Sequence, residues 1–436
     1  MSAPPPDAKP KKDLSPDDRR MHVNLALLAL AVMINVLGFS IIIPLIPDFV
    51  QRGLHLSNAQ DPRIGEYGGW LGASYALMQF LFAPFWGRLS DRIGRKPILL
   101  GSLAGDAVFY TLFGLSSHNI EGQFAARILA GIFSSASLAV AQAYAADITP
   151  PNLRAMGLGY LGAAFGVGFV LGPALGGLLG QFGLGWPLFF SSLLALGNLV
   201  YIWRVLPEPP RLPDQAGQVP GGFQSRMGQM ASAVTGPVGF LYLLTFAVTF
   251  AFGNLEGTFT AYLKQHLEPG VSTRHAIAVA GGVFAYVGVL IVVIQGFLIR
   301  PLVKRFGEPN LVVVGIGLMA VGFLLFPLAP LLAVLLLGPM IPISVGNGLN
   351  GPSLRALVSR RATAQGAALG LSASFDSLAR ATGPATAGYL YKHVGQTAPY
   401  WCAGLVMSLC FVFALSRRRA MAEAVMAEEG TSSLAL

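Results

Sequence analysis

The chain has 436 residues, of which 54% are hydrophobic and only 11% charged, with a mean hydropathy of +0.61. A water-facing domain carries about 25% charged residues, so lipid must be the solvent for most of this chain and an array of soluble domains is excluded. The net charge of +9 comes without aromatic-interleaved basic patches and so does not point to nucleic acid. There is no Cys/His spacing suited to a metal. Cys402 and Cys410 fall in one apolar stretch and cannot frame a disulfide scaffold.

Residues 1–22 are rich in Pro, Lys and Asp and are expected to form a disordered cytoplasmic tail. The apolar run Val23–Leu45 that follows is too long for a signal-peptide core and is read as a retained first membrane helix. A spanning helix needs about 20 mostly apolar residues. The stretches 23–45, 66–87, 97–116, 121–146, 153–181, 186–206, 237–263, 276–301, 309–328, 331–354, 365–391 and 397–415 qualify. The expectation is an all-α membrane protein with twelve transmembrane helices in two pseudo-symmetric six-helix bundles, 23–206 and 237–416. A Pro-, Gly- and Gln-rich cytoplasmic linker at 207–236 joins them, and 417–436 form a second cytoplasmic tail.

Orientation follows from the bias of Lys and Arg toward the cytoplasmic side. With the N-terminus inside, the inside segments hold most of the 29 Lys and Arg, and the outside loops hold Arg52, Arg63, Lys264, Arg274 and Lys392. The basic residues then sit where anionic headgroups lie. Both termini are expected in the cytoplasm of a multi-pass protein of the inner (plasma) membrane.

An internal repeat supports the division. Gly172-Pro173-Ala174-Leu175-Gly176-Gly177 recurs as Gly383-Pro384-Ala385-Thr386-Ala387-Gly388, and Arg92-Ile93-Gly94 recurs as Arg305-Phe306-Gly307. Duplicated six-helix halves are a known transporter plan, with the substrate site at their interface.

The most informative stretch is Gly87-Arg88-Leu89-Ser90-Asp91-Arg92-Ile93-Gly94-Arg95-Lys96-Pro97. Gly94 permits a tight turn between helices, and Pro97 suits the first turn of the next. Asp91, an acid among bases, can pair with them or cap a neighbouring helix. A plain topology-setting turn is the simpler alternative. This stretch resembles the signature loop of the major facilitator superfamily. Arg127 with Gly131 resembles that family's membrane-embedded arginine motif, and Gly168, Gly172, Pro173, Gly176 and Gly177 resemble its fifth-helix motif of drug–proton antiporters. Leu37-Gly38-Phe39-Ser40-Ile41-Ile42-Ile43-Pro44 with Pro47 resembles the first helix of the tetracycline-efflux branch.

The resemblance implies a cytoplasmic latch in which Asp91 faces the start of the eleventh helix near Gln365, with Gly87, Arg92, Gly94, Arg95, Asp147 and Arg154 completing the cluster. The fifth-helix motif reads equally as a hinge or seal, because Pro173 frees a backbone carbonyl and bends the helix, and as close helix packing by small residues; the two are compatible. The resemblance also implies an acidic residue in the first helix, where this chain has Asn35. Asn cannot carry a proton, so either another carboxyl does the coupling, Glu256 first among them, or the protein is not coupled in the usual way.

A charged residue at a helix centre costs about 2.5–3.5 kcal/mol on insertion scales, so each one calls for a partner or a function. Glu256, Asp376 and Asp106 are the proton-coupling candidates, with Glu256 first, and Arg127 and Arg380 the charge partners. Asp376 and Arg380 share a helical face, which also suits a static salt bridge. Cavity-lining candidates are Asn35, Phe39, Gln142, Phe165, Asn254, Phe259, Gln295, Asn347 and Phe375, with Gln79 and Asn350 as further polar residues in apolar helices. Packing is the ordinary role for any one of them.

No Gly-Lys-Ser/Thr phosphate loop and no nucleophile–base constellation is present, so no enzyme and no cofactor is expected. The reading is a monomeric secondary transporter whose partners are a small-molecule substrate, protons and membrane lipids. It would export amphipathic molecules or drugs, tetracycline-like ones among them, in exchange for protons. An importer or uniporter of a small metabolite on the same fold, and a non-transporting membrane receptor, remain as alternatives.

Overall fold

The computed structural model describes residues 16–150, 154–209, 223–236, 238–268, 270–361 and 365–421. The expected tails over 1–15 and 422–436, and 210–222 of the expected linker, lie outside the described residues. Twelve long helices follow in order: α1 (Pro16–Ser40), α2 (Arg63–Ile93), α3 (Arg95–Leu115), α4 (Ile120–Ile148), α5 (Arg154–Gly180), α6 (Trp186–Val205), α7 (Gly239–Tyr262), α8 (Thr273–Val293), α9 (Glu308–Leu325), α10 (Met340–Arg361), α11 (Gln365–His393) and α12 (Ala398–Ser416). Among the described residues there is no strand. The fold is all-α, with two six-helix bundles.

Local chemistry sets the interruptions. Pro44 and Pro47 lack the amide proton a helix needs, so α1 ends at Ser40 and the chain continues through a tight turn into a short helix, Ile46–Gly53. Pro327 stands in the turn Phe326–Leu328 after α9. The expected tenth span, 331–354, begins as a short helix, Leu332–Leu337, and breaks at Gly338 before α10 starts at Met340. Asn119 caps α4 by accepting from the backbone of Glu121 and Gly122, and Ser272 caps α8 through the backbone N–H of His275.

The internal repeat is visible as repeated packing. α1 lies on α5 as α7 lies on α11, α3 on α4 as α9 on α10, and α3 on α6 as α9 on α12. The two halves meet through α2 against α11 and, at the equivalent place, α5 against α8. The turns after α2 and after the short helix Ile299–Phe306 also match: Gly94 and Gly307 both have positive φ, 114° and 75°, which L side chains rarely adopt.

By length and apolarity, ten helices among the described residues can cross a membrane. α2 and α11 are the two that fall short, and they face each other across the junction of the halves. Polar residues such as Glu66, Gln79, Asp376 and Arg380 keep them below the apolarity of the other ten. The aromatic rings of Phe259, Phe326, Tyr262 and Tyr400 pack together in the core of the second half.

Candidate transport site

The halves are tied together at the end opposite the linker. Lys264 Nζ donates to Asp48 Oδ1 at 2.7 Å and to Gln51 Oε1 at 3.0 Å, and both charged side chains are buried. Lys392 Nζ pairs with Glu66 at 2.6 Å. Gln265 Nε2 donates to the carbonyl of Ala59 at 2.9 Å while its oxygen accepts from Tyr391 at 2.8 Å. Close backbone approach extends the seal inward. A Cβ on Gly177 would come within 2.9 Å of the Gly281 Cα, and one on Gly69 would overlap the Pro384 carbonyl. At the linker end Gln142, Gly162, Ala163 and Arg355 are exposed. The protein is therefore closed at the loop end, while at the linker end Arg355 Nη1 comes within 3.8 Å of where a Cβ on Gly162 would stand.

The glycine–proline motif lies at this junction. In α5, a Cβ on Gly168 would press on the Met33 carbonyl, and Cβ atoms on Gly172 and Gly176 would overlap Ser40 and Ile41 of the α1 segment. Its repeat in α11 sets Pro384 against α7, within 3.2 Å of where a Gly253 Cβ would stand and 3.1 Å from that of Gly257. These two glycines flank Glu256, so the repeat fixes the turn that carries this carboxyl.

Glu256 is partly exposed and forms no hydrogen bond or ion pair with a described residue. It lies within electrostatic reach of Arg380 and Asp376. Asp376 accepts from Thr249 Oγ1 at 2.5 Å and from Arg380 Nε and Nη2 at 3.2 Å each. The Arg380 guanidinium lies 4.9 Å from the ring centre of Phe165, which belongs to the other half. Phe165 is itself stacked on Phe169, 6.2 Å between ring centres. The second half thus offers two carboxyls and one guanidinium to the junction.

Asp106 and Arg127 form a separate cluster inside the first half. Asp106 has no exposed surface. Its Oδ2 accepts from the Asn35 amide at 2.5 Å, and Asn35 also reaches Ser137 at 3.3 Å. Arg127 is buried, 4.4 Å over the Tyr75 ring and 5.6 Å over that of Phe39. Phe39 and Tyr75 stack at 4.8 Å.

The signature loop folds onto its own half. Arg95 joins Asp91 at 2.5 Å and Asp147 at 2.8 Å. The carboxylate of Glu208, in the expected linker, accepts from the backbone N–H of Arg95 and Lys96 at 2.6 and 2.9 Å and so caps α3. Asp91, the expected latch to α11, is paired with Arg95 in this state; the side chains of Gln365 and Arg154 lie outside the described residues. Gly87 and Arg92 stand at the end of α2, Gly87 half-buried and Arg92 exposed. The second half repeats the pair with its polarity exchanged. Glu308 and Arg360 meet at 2.9 Å, and they stand at the positions of Arg95 and Asp147 shifted by the 213 residues of the repeat.

The cavity-lining candidates separate. Phe39 and Phe165 are half-buried beside the two charge clusters, and Gln142 and Gln295 are exposed. Asn347 is half-buried. Asn254 bonds to the Phe250 carbonyl within its own helix, and Asn350 is fully buried. Phe259 is sealed among Phe284 and Phe326, and Phe375 is stacked on Tyr242 at 5.4 Å, so both sit in the core of the second half. Sequence reading passed over Thr249, Tyr75, Asp48 and Glu208. The only sign in their favour was polarity, and without partners that is not a signal.

The sequence profile of the Major Facilitator Superfamily matches residues 28–384. The chain belongs to that family and is a multi-pass membrane transporter, not an enzyme. It is 31% identical to the class C tetracycline resistance protein of Escherichia coli, over 91% of this chain and 98% of that one. It is 29% identical to multidrug resistance protein 2 of Bacillus subtilis, over 86% and 90%. Among solved structures, the human organic anion transporter MFSD10 superposes with a TM-score of 0.68 at 26% identity, covering 92% of this chain and 100% of that one.

Proposed function

We propose that this protein exports amphipathic small molecules, tetracycline-like drugs among them, in exchange for protons. It would act as a monomer in the inner membrane, with the linker end and both termini in the cytoplasm. The domain limits 23–206 and 237–416 are taken as the two moving bodies. The observation that carries the reading is Glu256: a membrane-embedded carboxyl without an ion pair among the described residues, beside the Asp376–Arg380 pair, at the junction where the halves must part. Two drug-resistance transporters among the relatives support the substrate class.

The cycle follows from charge. In the state open at the linker end, substrate enters from the cytoplasm toward Arg380 and Phe165. A carboxyl must be neutral to pass cheaply through a closed, water-poor state. Proton binding and substrate binding at one cluster therefore alternate. One charge moved through 100 mV gains about 2.3 kcal/mol, which is enough to drive accumulation. Asp91, Arg95 and Asp147 are proposed to re-pair when the linker end closes.

The test is growth of a host lacking its own exporters on a drug panel, with the intact gene against Glu256→Gln, followed by transport in liposomes under an imposed proton gradient. Drug accumulation driven by the gradient, lost in Glu256→Gln, is expected. Simple equilibration of drug across the membrane would instead identify a uniporter.

A further inference from the structure

We propose that Asp106, presented by the Asn35 amide, is a proton-binding carboxyl of the first half, so that the group the first helix lacks is supplied from α3 across one hydrogen bond. The inference deepens the proton-exchange reading above and rests on it.

The cluster is not a satisfied structural bond. Asp106 is fully buried, with one oxygen held by Asn35 and the other, Oδ1, without a partner. Arg127, also buried, has no partner for Nε and no carboxylate among the described residues. Buried polar atoms are almost always paired in a settled core. Here a carboxyl and a guanidinium in one bundle each leave a position open. Tyr75 and Tyr110 lie within electrostatic reach of both.

Only one of the two can change its charge. A guanidinium keeps its proton in a protein, whereas a carboxyl is a donor when protonated and acceptor-only when ionised. A single neutral amide is poor compensation for a sealed anion, so the observed arrangement is that of the protonated acid resting on Asn35. Loss of the proton would leave the carboxylate with the Asn35 amide as its one hydrogen-bond donor among the described residues. The groups that face Asp106 are few. Tyr110 comes from its own helix and Tyr75 from α2, both within electrostatic reach, while Asn35 of α1 and Ser137 of α4, which do not titrate, complete the hydrogen-bonded surroundings. Further polar groups stand nearby: Ser134 accepts from Tyr75 at 2.6 Å, and half-buried Gln79 donates to the Tyr75 hydroxyl at 3.2 Å.

The reading explains why Asn at position 35 is compatible with coupling. Asn35 does not bind the proton; it positions the acid that does. Exchanging the two residues should keep the chemistry, because the carboxyl only moves to the other end of the same hydrogen bond.

The experiment is pH-difference infrared spectroscopy on the full-length protein in liposomes, which needs no substrate. A carboxyl C=O band that titrates, disappears in Asp106→Asn, shifts in frequency in Asn35→Ala and returns in the double exchange Asn35→Asp with Asp106→Asn is expected. Spectra of the native protein and Asp106→Asn that superimpose at every pH would overturn the proposal. Should Asp106→Asn fail to fold, Asn35→Ala decides alone, since a band it leaves unmoved overturns the proposal too. Proton-driven drug accumulation should fall about tenfold in Asp106→Asn; unimpaired accumulation would also overturn it. A titrating Asp106 band in a protein that no gradient can drive would instead refute proton exchange as the function.

Discussion

The Arg380 guanidinium lies 4.9 Å from the ring centre of Phe165, and the two residues come from opposite halves of the chain. Arg380 is held by Asp376 on its own helix, so the ring meets a cation that is already fixed in place. The contact spans the junction at the depth where substrate is proposed to bind, and it must break or slide whenever the halves rock.

Replacing Phe165 by Leu removes the ring but keeps an apolar side chain. A cation–π contact is worth about 0.5–2 kcal/mol, so KM for drug transport should rise about two- to thirtyfold while the protein stays folded. Phe165→Tyr should stay close to the native value. Initial rates in membrane vesicles measure both.

Asp376→Asn leaves Arg380 without its counter-charge. Both side chains keep roughly a quarter of their surface, so the loss should be about 1–3 kcal/mol, less than for a sealed pair. Thermal unfolding in detergent reads it. Adding Arg380→Gln should recover stability without recovering transport, which separates the structural and functional parts of the pair.

Lys264 and Asp48 close the loop end from opposite halves with both side chains buried. Removing one charge of such a pair costs about 3–5 kcal/mol, and this cost falls on the closed arrangement alone. Lys264→Gln should therefore favour opening at that end. A cysteine placed at Ile46, buried beneath the seal, should react faster with a membrane-impermeant thiol reagent added from outside in that background. An unchanged labelling rate would show that the pair does not hold the gate.

Asp147→Asn and Glu308→Gln each break one copy of the repeated ion pair. Each should lower stability by about 1–3 kcal/mol, because a charge-assisted bond is lost. The two losses should add to within about 0.5 kcal/mol, since the pairs lie in separate halves. Asp91→Asn should cost less, because Asp91 is more exposed than Asp147, 26% against 16%, and pairs with Arg95 only four residues away. Thermal scans of the singles and the double decide it.

Much of the architecture was legible in the residues. Apolar runs marked the helices because the bilayer interior penalises any unsatisfied backbone group, and the recurrence of Gly172-Pro173 at Gly383-Pro384 marked the duplication. The runs misled at proline-rich junctions, where hydropathy continues but the helix cannot, as at Pro44 and Gly338. The loop from Gly87 to Pro97 was recognisable, yet its Asp91 pairs inside its own half in this state. Nothing in the Pro-rich segment signalled that Glu208 would cap α3.

From its residues alone, the chain's solvent, its helix count, its internal duplication and its family resemblance could be derived, because each depends on composition and local spacing. Which charge meets which was decided only when twelve helices packed. Helical periodicity places a side chain on a face, but the rotation of each helix against its neighbours chooses the partner. Packing set Asn35 against Asp106, Lys264 against Asp48 and Arg380 against Phe165, all contacts between residues far apart along the chain.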